Sequence, residues 1–330
     1  MRVSDESKEV APSQGIEEVV IEARGLRFVA LAKGQGPIAL CAHGFPETGA
    51  TFDATLHHLA AKGYRAVAPH MRGYWPSPTA ATPVASGDTP KPPGHLGDTP
   101  KPPGHLGDTP KPPSVTSFHV NEVALDLIAI AERLSPTAPV GLIGHDWGAD
   151  AAYRAAAIRP EAFGKLVTIG IPHIATIRIR PPILWGLRHF ATFQWKSATL
   201  AKFRRDDFAF VDALYRRWSP LWNVPPEETA PVKEAFRHDG CLEGAVSYYW
   251  DFVFPTPEAR KRSAEILRTP IDVPTTVVLG REDGALRPSF LRDRPKVFPK
   301  GVKIEWIDGV GHFPHREDFP AFARILDAAT

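Results

Sequence analysis

What this sequence lacks narrows its class before any motif is read. Two cysteines, Cys41 inside an apolar run and Cys241 far along the chain, are too few for a disulfide framework. A formal net charge of +2 with both signs interspersed gives no basic stripe for nucleic acid and no cationic face for an anionic membrane. The opening MRVSDESKEVAPSQGIEE has no apolar stretch, so neither a signal peptide nor a membrane span is expected there, and a cytoplasmic location is expected. His95 and His105 occupy identical repeat positions without other donors beside them, and neither a metal site nor a cofactor is expected.

What remains is an enzyme-sized globular chain. Its 330 residues, 43% of them hydrophobic, suffice for one large α/β core with an inserted piece or for two ordinary domains. Short apolar runs alternate with helical patterns, which predicts a mostly parallel sheet covered by helices. The runs are GPIALCAHG (36–44), YRAVAPH (64–70), APVGLIGHD (138–146), GKLVTIGI (164–171), TTVVLG (275–280) and KIEWIDG (303–309). Residues 53–62, 115–134, 148–158 and 319–328 carry apolar residues at helical spacing. From Pro172 to about Thr256 the pattern turns helical and aromatic-rich with no strand signal, which predicts an insertion. The expected organisation is a core at 1–171, an insertion at 172–256 and the rest of the core at 257–330.

GDTPKPPGHL occurs at 87–96 and 97–106 and is truncated at 107–113. The unit is too short and too polar to build a solenoid. Its Pro-Pro pairs favour extended backbone, so 87–113 is expected to be an elongated surface loop.

The chemistry starts in LIGHDWGAD, 142–150, where Gly-x-Asp-x-Gly joins an apolar run to an alanine-rich helix pattern. A residue between two glycines on a sharp strand-to-helix turn holds its side chain exposed above the sheet, the position of a nucleophile. Asp146 there is already ionised and needs no base for attack, and its attack creates an ester in the protein itself. That suits displacement at a saturated carbon, followed by hydrolysis, which needs a base and oxyanion donors. AHGFPETG (42–49) places the backbone N–H of Phe45 as one donor, and Trp147, after the nucleophile, supplies the other. His312 in DGVGHFPHRED is the candidate base. Asp283 in VLGREDGAL is the candidate orienting acid, with Glu282 beside it as the competing carboxylate. His315 is expected at the surface. The order Asp146, Asp283, His312 is the nucleophile, acid, histidine order of the α/β-hydrolase fold.

HGFPE, RGYWPS, GHDWG and GHFPHRE, in this order, resemble the soluble epoxide hydrolases and their relatives the haloalkane and haloacetate dehalogenases, over residues 18–330 apart from the repeats. The resemblance implies an α/β-hydrolase core with a helical lid, a small apolar epoxide and water as substrates, no cofactor, and the roles given above for Asp146, Asp283 and His312. It also implies two lid donors for the epoxide oxygen. GAVSYYWDF (244–252) assigns Tyr249, with Tyr248 as neighbour. LRHFATFQW (187–195) puts His189 where tyrosine is usual, as in a subgroup using a His and Tyr pair; the other reading of His189 is a polar residue within an aromatic helix. Trp185, Trp195, Trp218, Trp222 and Trp250 are expected to build lid core and pocket wall. A haloalkane dehalogenase with the same three residues and a halide at Trp147 is the alternative, although Phe45 stands where many of those enzymes have Asn or Glu. Haloacetate dehalogenases place arginines after the nucleophile, and here Trp147 and Asp150 stand there. A hydrolase-fold protein kept for binding a ligand or partner is the alternative of another class. Monomer and homodimer both stay open.

Overall fold

A computed structural model describes residues 15–78, 117–177, 186–286 and 296–329. The expectations for the repeats at 87–113, with His95 and His105, and for Trp185 lie outside the described residues.

The chain begins with strands β1 (Glu17–Ala23), β2 (Leu26–Lys33) and β3 (Ile38–Ala42), helix α1 (Asp53–Ala61) and strand β4 (Arg65–Pro69). Helix α2 (Val120–Leu134), strand β5 (Val140–His145), helix α3 (Trp147–Ile158) and strand β6 (Phe163–Ile169) follow. Among the described residues six α-helices then come before the next strand: α4 (Arg188–Thr192), α5 (Lys196–Arg204), α6 (Ala209–Trp218), α7 (Pro226–Arg237), α8 (Cys241–Val253) and α9 (Pro257–Ile266). Strands β7 (Thr275–Gly280) and β8 (Val302–Ile307) and helices α10 (Pro314–Glu317) and α11 (Phe319–Ala329) complete the described elements.

The eight strands form one sheet in the order β1-β2-β4-β3-β5-β6-β7-β8. From β4 to β8 every pairing is parallel, and β1 and β2 join antiparallel at one edge. Parallel strands are covered on both faces. Alternate residues divide accordingly: Ala39 and Cys41 of β3 pack with Leu56 and Leu59 of α1 and Phe322 and Leu326 of α11. Leu40 and Ala42 pack with Val123 and Leu127 of α2 and Ala151 and Ala155 of α3. This is the sheet flanked by helices that the alternating pattern predicts.

The hairpin β1–β2 was not among the expected strands. Its turn is Arg24-Gly25, both at positive φ (52° and 71°), the geometry that matches the twist of a two-residue hairpin. EEVVIEA is an edge strand with much of its length exposed, so it lacks the continuous apolar run by which buried strands are recognised.

Candidate functional site

Asp146 lies at the sharpest turn of the site, between the end of β5 and the start of α3. Its φ of 50° and ψ of −117° are strained for a residue with a Cβ. Two glycines permit this close packing. A Cβ on Gly44 would fall 2.3 Å from the Asp146 Cβ, and one on Gly148 would fall 2.1 Å from the Ala42 carbonyl oxygen.

The two carboxylate oxygens have different surroundings. Oδ1 accepts the Phe45 backbone N–H at 2.9 Å, and Oδ2 faces His312 Nε2 at 3.5 Å. His312 donates from Nδ1 to Asp283 Oδ2 at 2.8 Å. The other Asp283 oxygen accepts the N–H groups of Ala285 and Leu286 at 2.7 and 2.8 Å, which fixes the carboxylate. Glu282 is exposed, so Asp283 is the acid brought to the histidine. Burial pulls the His312 imidazole down, but Asp283 and Asp146 outweigh it and push it up to about 10. Burial likewise opposes ionisation of Asp146, and the contact with His312 still lowers its carboxyl below the ordinary value.

The backbone of His312 is anchored from two sides. Its N–H donates to Ser219 Oγ at 2.9 Å, and that hydroxyl donates to Glu317 at 2.6 Å. Glu317 also accepts from Gly311 and Phe313, which ties the loop after β8 to itself. The His312 carbonyl faces His145 Nε2 at 2.9 Å, while His145 Nδ1 meets Glu47 Oε2 at 2.6 Å. Glu47 further accepts from the Gly44 N–H and the Thr51 hydroxyl. Burial opposes its charge, yet His145 and His315 hold its carboxyl well below the usual range.

His315 is therefore a correction to the expected surface position. It is buried against Phe52, with Nε2 3.1 Å from Thr51 Oγ1 and 3.5 Å from Glu47, and burial pushes it down to about 4. Glu47, His145 and His315 place one ligand atom each within 4.8 Å of one another. Both Glu47 oxygens already accept hydrogen bonds, so the set reads as a bracing network behind Asp146. Sequence reasoning missed this network and the Ser219–Glu317 pair. Glu47 and Glu317 stand inside the quoted motifs HGFPE and HRE, whereas Ser219 carries no local signal.

Aromatic side chains close over Asp146. Tyr249 of α8 lies with its ring 5.1 Å from those of both Phe45 and Trp147. Burial, reinforced by the Asp146 charge, pushes its phenol well above the ordinary value. Tyr248 donates to the Arg72 carbonyl at 2.7 Å and Tyr215 to the Pro46 carbonyl at 3.2 Å, so each hydroxyl hydrogen is engaged elsewhere. Trp218 is buried against His312, whereas Trp195 is 67% exposed, which corrects its expected place in the core. Trp222 and Trp250 are partly buried against the core.

His189 lies beside Tyr249, with ring centres 5.5 Å apart. Its Nδ1 faces the Gly186 carbonyl at 3.2 Å, and a carbonyl only accepts. The neutral ring therefore spends its one N–H on Gly186 and turns a lone pair outward at Nε2. A second proton is opposed by burial and then by the Arg217 charge, which together push the ring down to about 3. With its hydrogen on Nδ1, the neutral ring has none at Nε2 to give a substrate oxygen. The Trp147 indole N–H is buried and approaches the Tyr249 hydroxyl, whose ionised form it favours, without reaching hydrogen-bonding geometry. Asp150, where other hydrolases carry arginine, pairs with Arg154 at 3.1 Å.

Residues 37–319 match the protein family described as alpha/beta hydrolase fold. The chain is similar to the AB hydrolase superfamily protein YfhM of Bacillus subtilis, at 24% identity over 94% of this chain and 96% of the relative. It is also similar to epoxide hydrolase 3 of Siraitia grosvenorii, at 25% identity over 81% of each. Among solved structures, epoxide hydrolase VrEH1 from Vigna radiata shares the fold with a TM-score of 0.72 and 20% identity, over 96% of this chain and 98% of that one.

Proposed function

This chain belongs to the α/β-hydrolase fold family, and from that premise we propose that it hydrolyses an epoxide to a vicinal diol through an ester on Asp146. The observation that carries the reading is the division of labour in one partly buried carboxylate: Oδ1 is held by the Phe45 N–H, and Oδ2 is turned to His312 beneath Tyr249. We read residues 172–256 as the lid that keeps bulk water from this carboxylate.

In the first step Asp146 Oδ2 attacks a ring carbon, the carbon–oxygen bond of the epoxide breaks, and the Tyr249 hydroxyl gives its proton to the departing oxygen. Ester formation removes one of the two negative charges that hold the proton on His312. The imidazolium then returns a proton to the phenolate and is left neutral, the form a base requires. His312, oriented by Asp283, next takes a proton from water, and the hydroxide attacks the ester carbon. The oxyanion forms on Oδ1, where the N–H groups of Phe45 and of Trp147, the first residue of α3, stabilise it. Collapse breaks the bond from the Asp146 carboxyl carbon to Oδ2, the leaving alkoxide takes the proton of the newly added hydroxyl to become the diol, and Asp146 is again a carboxylate beside a protonated His312, so atoms and protons balance to epoxide plus water.

Trp147 favours one second reading. A buried indole N–H without an acceptor is a halide donor, and the same three residues would then serve a haloalkane dehalogenase. Purified protein incubated with styrene oxide and with 1-chlorohexane separates the two. Diol without chloride supports the epoxide reading, and chloride without diol refutes it in favour of dehalogenation. Neither product, with no diol from 4,5-epoxypentanoate either, refutes both.

A further inference from the structure

The proposed chemistry leaves one partly buried cation unused. Arg217, near the end of α6, has Nε and Nη2 shielded from solvent, and no acceptor among the described residues reaches either. These two nitrogens form one edge of the guanidinium, the edge that grips a carboxylate with two parallel hydrogen bonds. The same edge meets both oxygens of a carboxylate elsewhere in the molecule. Arg72 holds Asp126 through Nε and Nη2 at 2.5 and 2.7 Å, and Arg316 holds Glu228 through the same atoms at 2.7 and 2.9 Å. A guanidinium edge shielded from water without a partner is costly, so it asks for an anion.

Its place points to the substrate. The guanidinium carbon lies 5.6 Å from the centre of the Trp218 ring, and that same indole is 5.3 Å from the His312 ring and 5.2 Å from His189. The Arg217 charge also reaches Tyr249 and His189, both of which overhang Asp146. Among the described residues no carboxylate balances it: burial and then Arg188 push the guanidinium down to about 10, and the Tyr249 phenol acts the other way. Lys202, lowered by burial and by Arg217, adds a third cation to this corner.

We infer that Arg217 is the anion-recognition residue of the pocket, and that the substrate is an epoxide bearing a carboxylate a few bonds from the ring, gripped by Nε and Nη2. The inference rests on the epoxide reading for the reaction and on Arg217 alone for the charge. The aromatic wall takes the short carbon chain between them. Binding the carboxylate also removes the charge that opposes a second proton on His189.

The test compares 4,5-epoxypentanoate with 4,5-epoxypentanamide, which differ in charge and hardly in shape. The wild type is expected to favour the acid in kcat/KM by at least about tenfold, mainly through KM, because a fork built for a carboxylate is left unpaired by the amide. In Arg217→Met the ratio of acid to amide should fall to about one. Arg217→Lys, which keeps the charge and loses the fork, should fall between. Equal treatment of acid and amide by the wild type overturns the inference, and so does a ratio that survives Arg217→Met. Calorimetric binding of pentanoate against pentanamide needs no turnover and separates the two proposals. Styrene oxide hydrolysis without preference for pentanoate keeps the epoxide reading and refutes the anion site. Arg217-dependent preference for pentanoate in a protein that opens no epoxide refutes the epoxide reading and keeps Arg217 as an anion site.

Discussion

Asp146 and His312 touch each other but are assigned to different half-reactions, and that difference is measurable. His312 acts on water only after the ester exists, so His312→Gln should still be alkylated and should then stall, with an intact mass raised by that of the epoxide. Asp146→Ala has no nucleophile and should show no adduct. Identical behaviour of the two variants would sink the ester mechanism. Tyr249 and His189 make a second contrast. Loss of one donor to a developing oxyanion costs on the order of 10²- to 10³-fold. Tyr249→Phe should slow alkylation by that order in single-turnover kinetics. His189→Phe should slow it by less than about tenfold, because the ring N–H already serves the Gly186 carbonyl. A His189→Phe variant as slow as Tyr249→Phe would place the hydrogen on Nε2 and make the Gly186 approach a mere contact.

The elements that deliver these side chains differ in how plainly they were written in the sequence. Runs such as TTVVLG are buried on every residue, and an apolar run bounded by turn signals is the mark of a central parallel strand. The Asp146 turn was legible for a steric reason, since Gly144 and Gly148 on either side of it leave room that no other residue would. The β1–β2 hairpin was not legible, because edge strands mix charge into their pattern. His315 was misplaced because a histidine among Arg and Glu looks solvated locally, while the group that buries it, Glu47, is far off in sequence. Ser219 and Arg217 lie on or just beyond α6, and their meaning depends on where that helix docks. The junction itself is testable at Gly311. A Cβ there would fall 2.5 Å from both Cα and Oγ of Ser219 and 2.7 Å from the Trp218 carbonyl oxygen. Gly311→Ala should destabilise the fold by about 1–3 kcal/mol, as overpacking does. It should also slow ester hydrolysis more than alkylation, because Ser219 anchors the His312 backbone and not Asp146. Equal slowing of both steps by rapid quench would show that the junction does not position His312.

At the scale of the whole molecule, the buried histidines set the pH range in which the fold survives. Burial pushes His43, His173 and His315 down to about 4 and His70 and His189 down to about 3, against an ordinary 6.5. Below pH 6.5 the unfolded chain takes up these protons and the folded one refuses them, so stability falls as the pH drops from 6.5 toward 3. Each such proton tilts the balance by about 1.4 kcal/mol per pH unit, and about five protons together outrun a typical total of roughly 5–15 kcal/mol within a few pH units. His312 acts in the opposite sense. Its value is raised to about 10, so its contribution is complete below pH 6.5 and is lost as the pH rises through about 10. Urea midpoints should therefore fall steeply between pH 6.5 and pH 5 in the wild type. On the alkaline side, the gap between the wild type and His312→Gln should narrow from pH 7 to pH 10.5, and using the difference removes the titration of lysines and tyrosines common to both. A wild-type midpoint unchanged from pH 7 to pH 5 would mean that these histidines take up protons without unfolding. A gap that stays constant to pH 10.5 would mean that His312 is not held charged between Asp146 and Asp283.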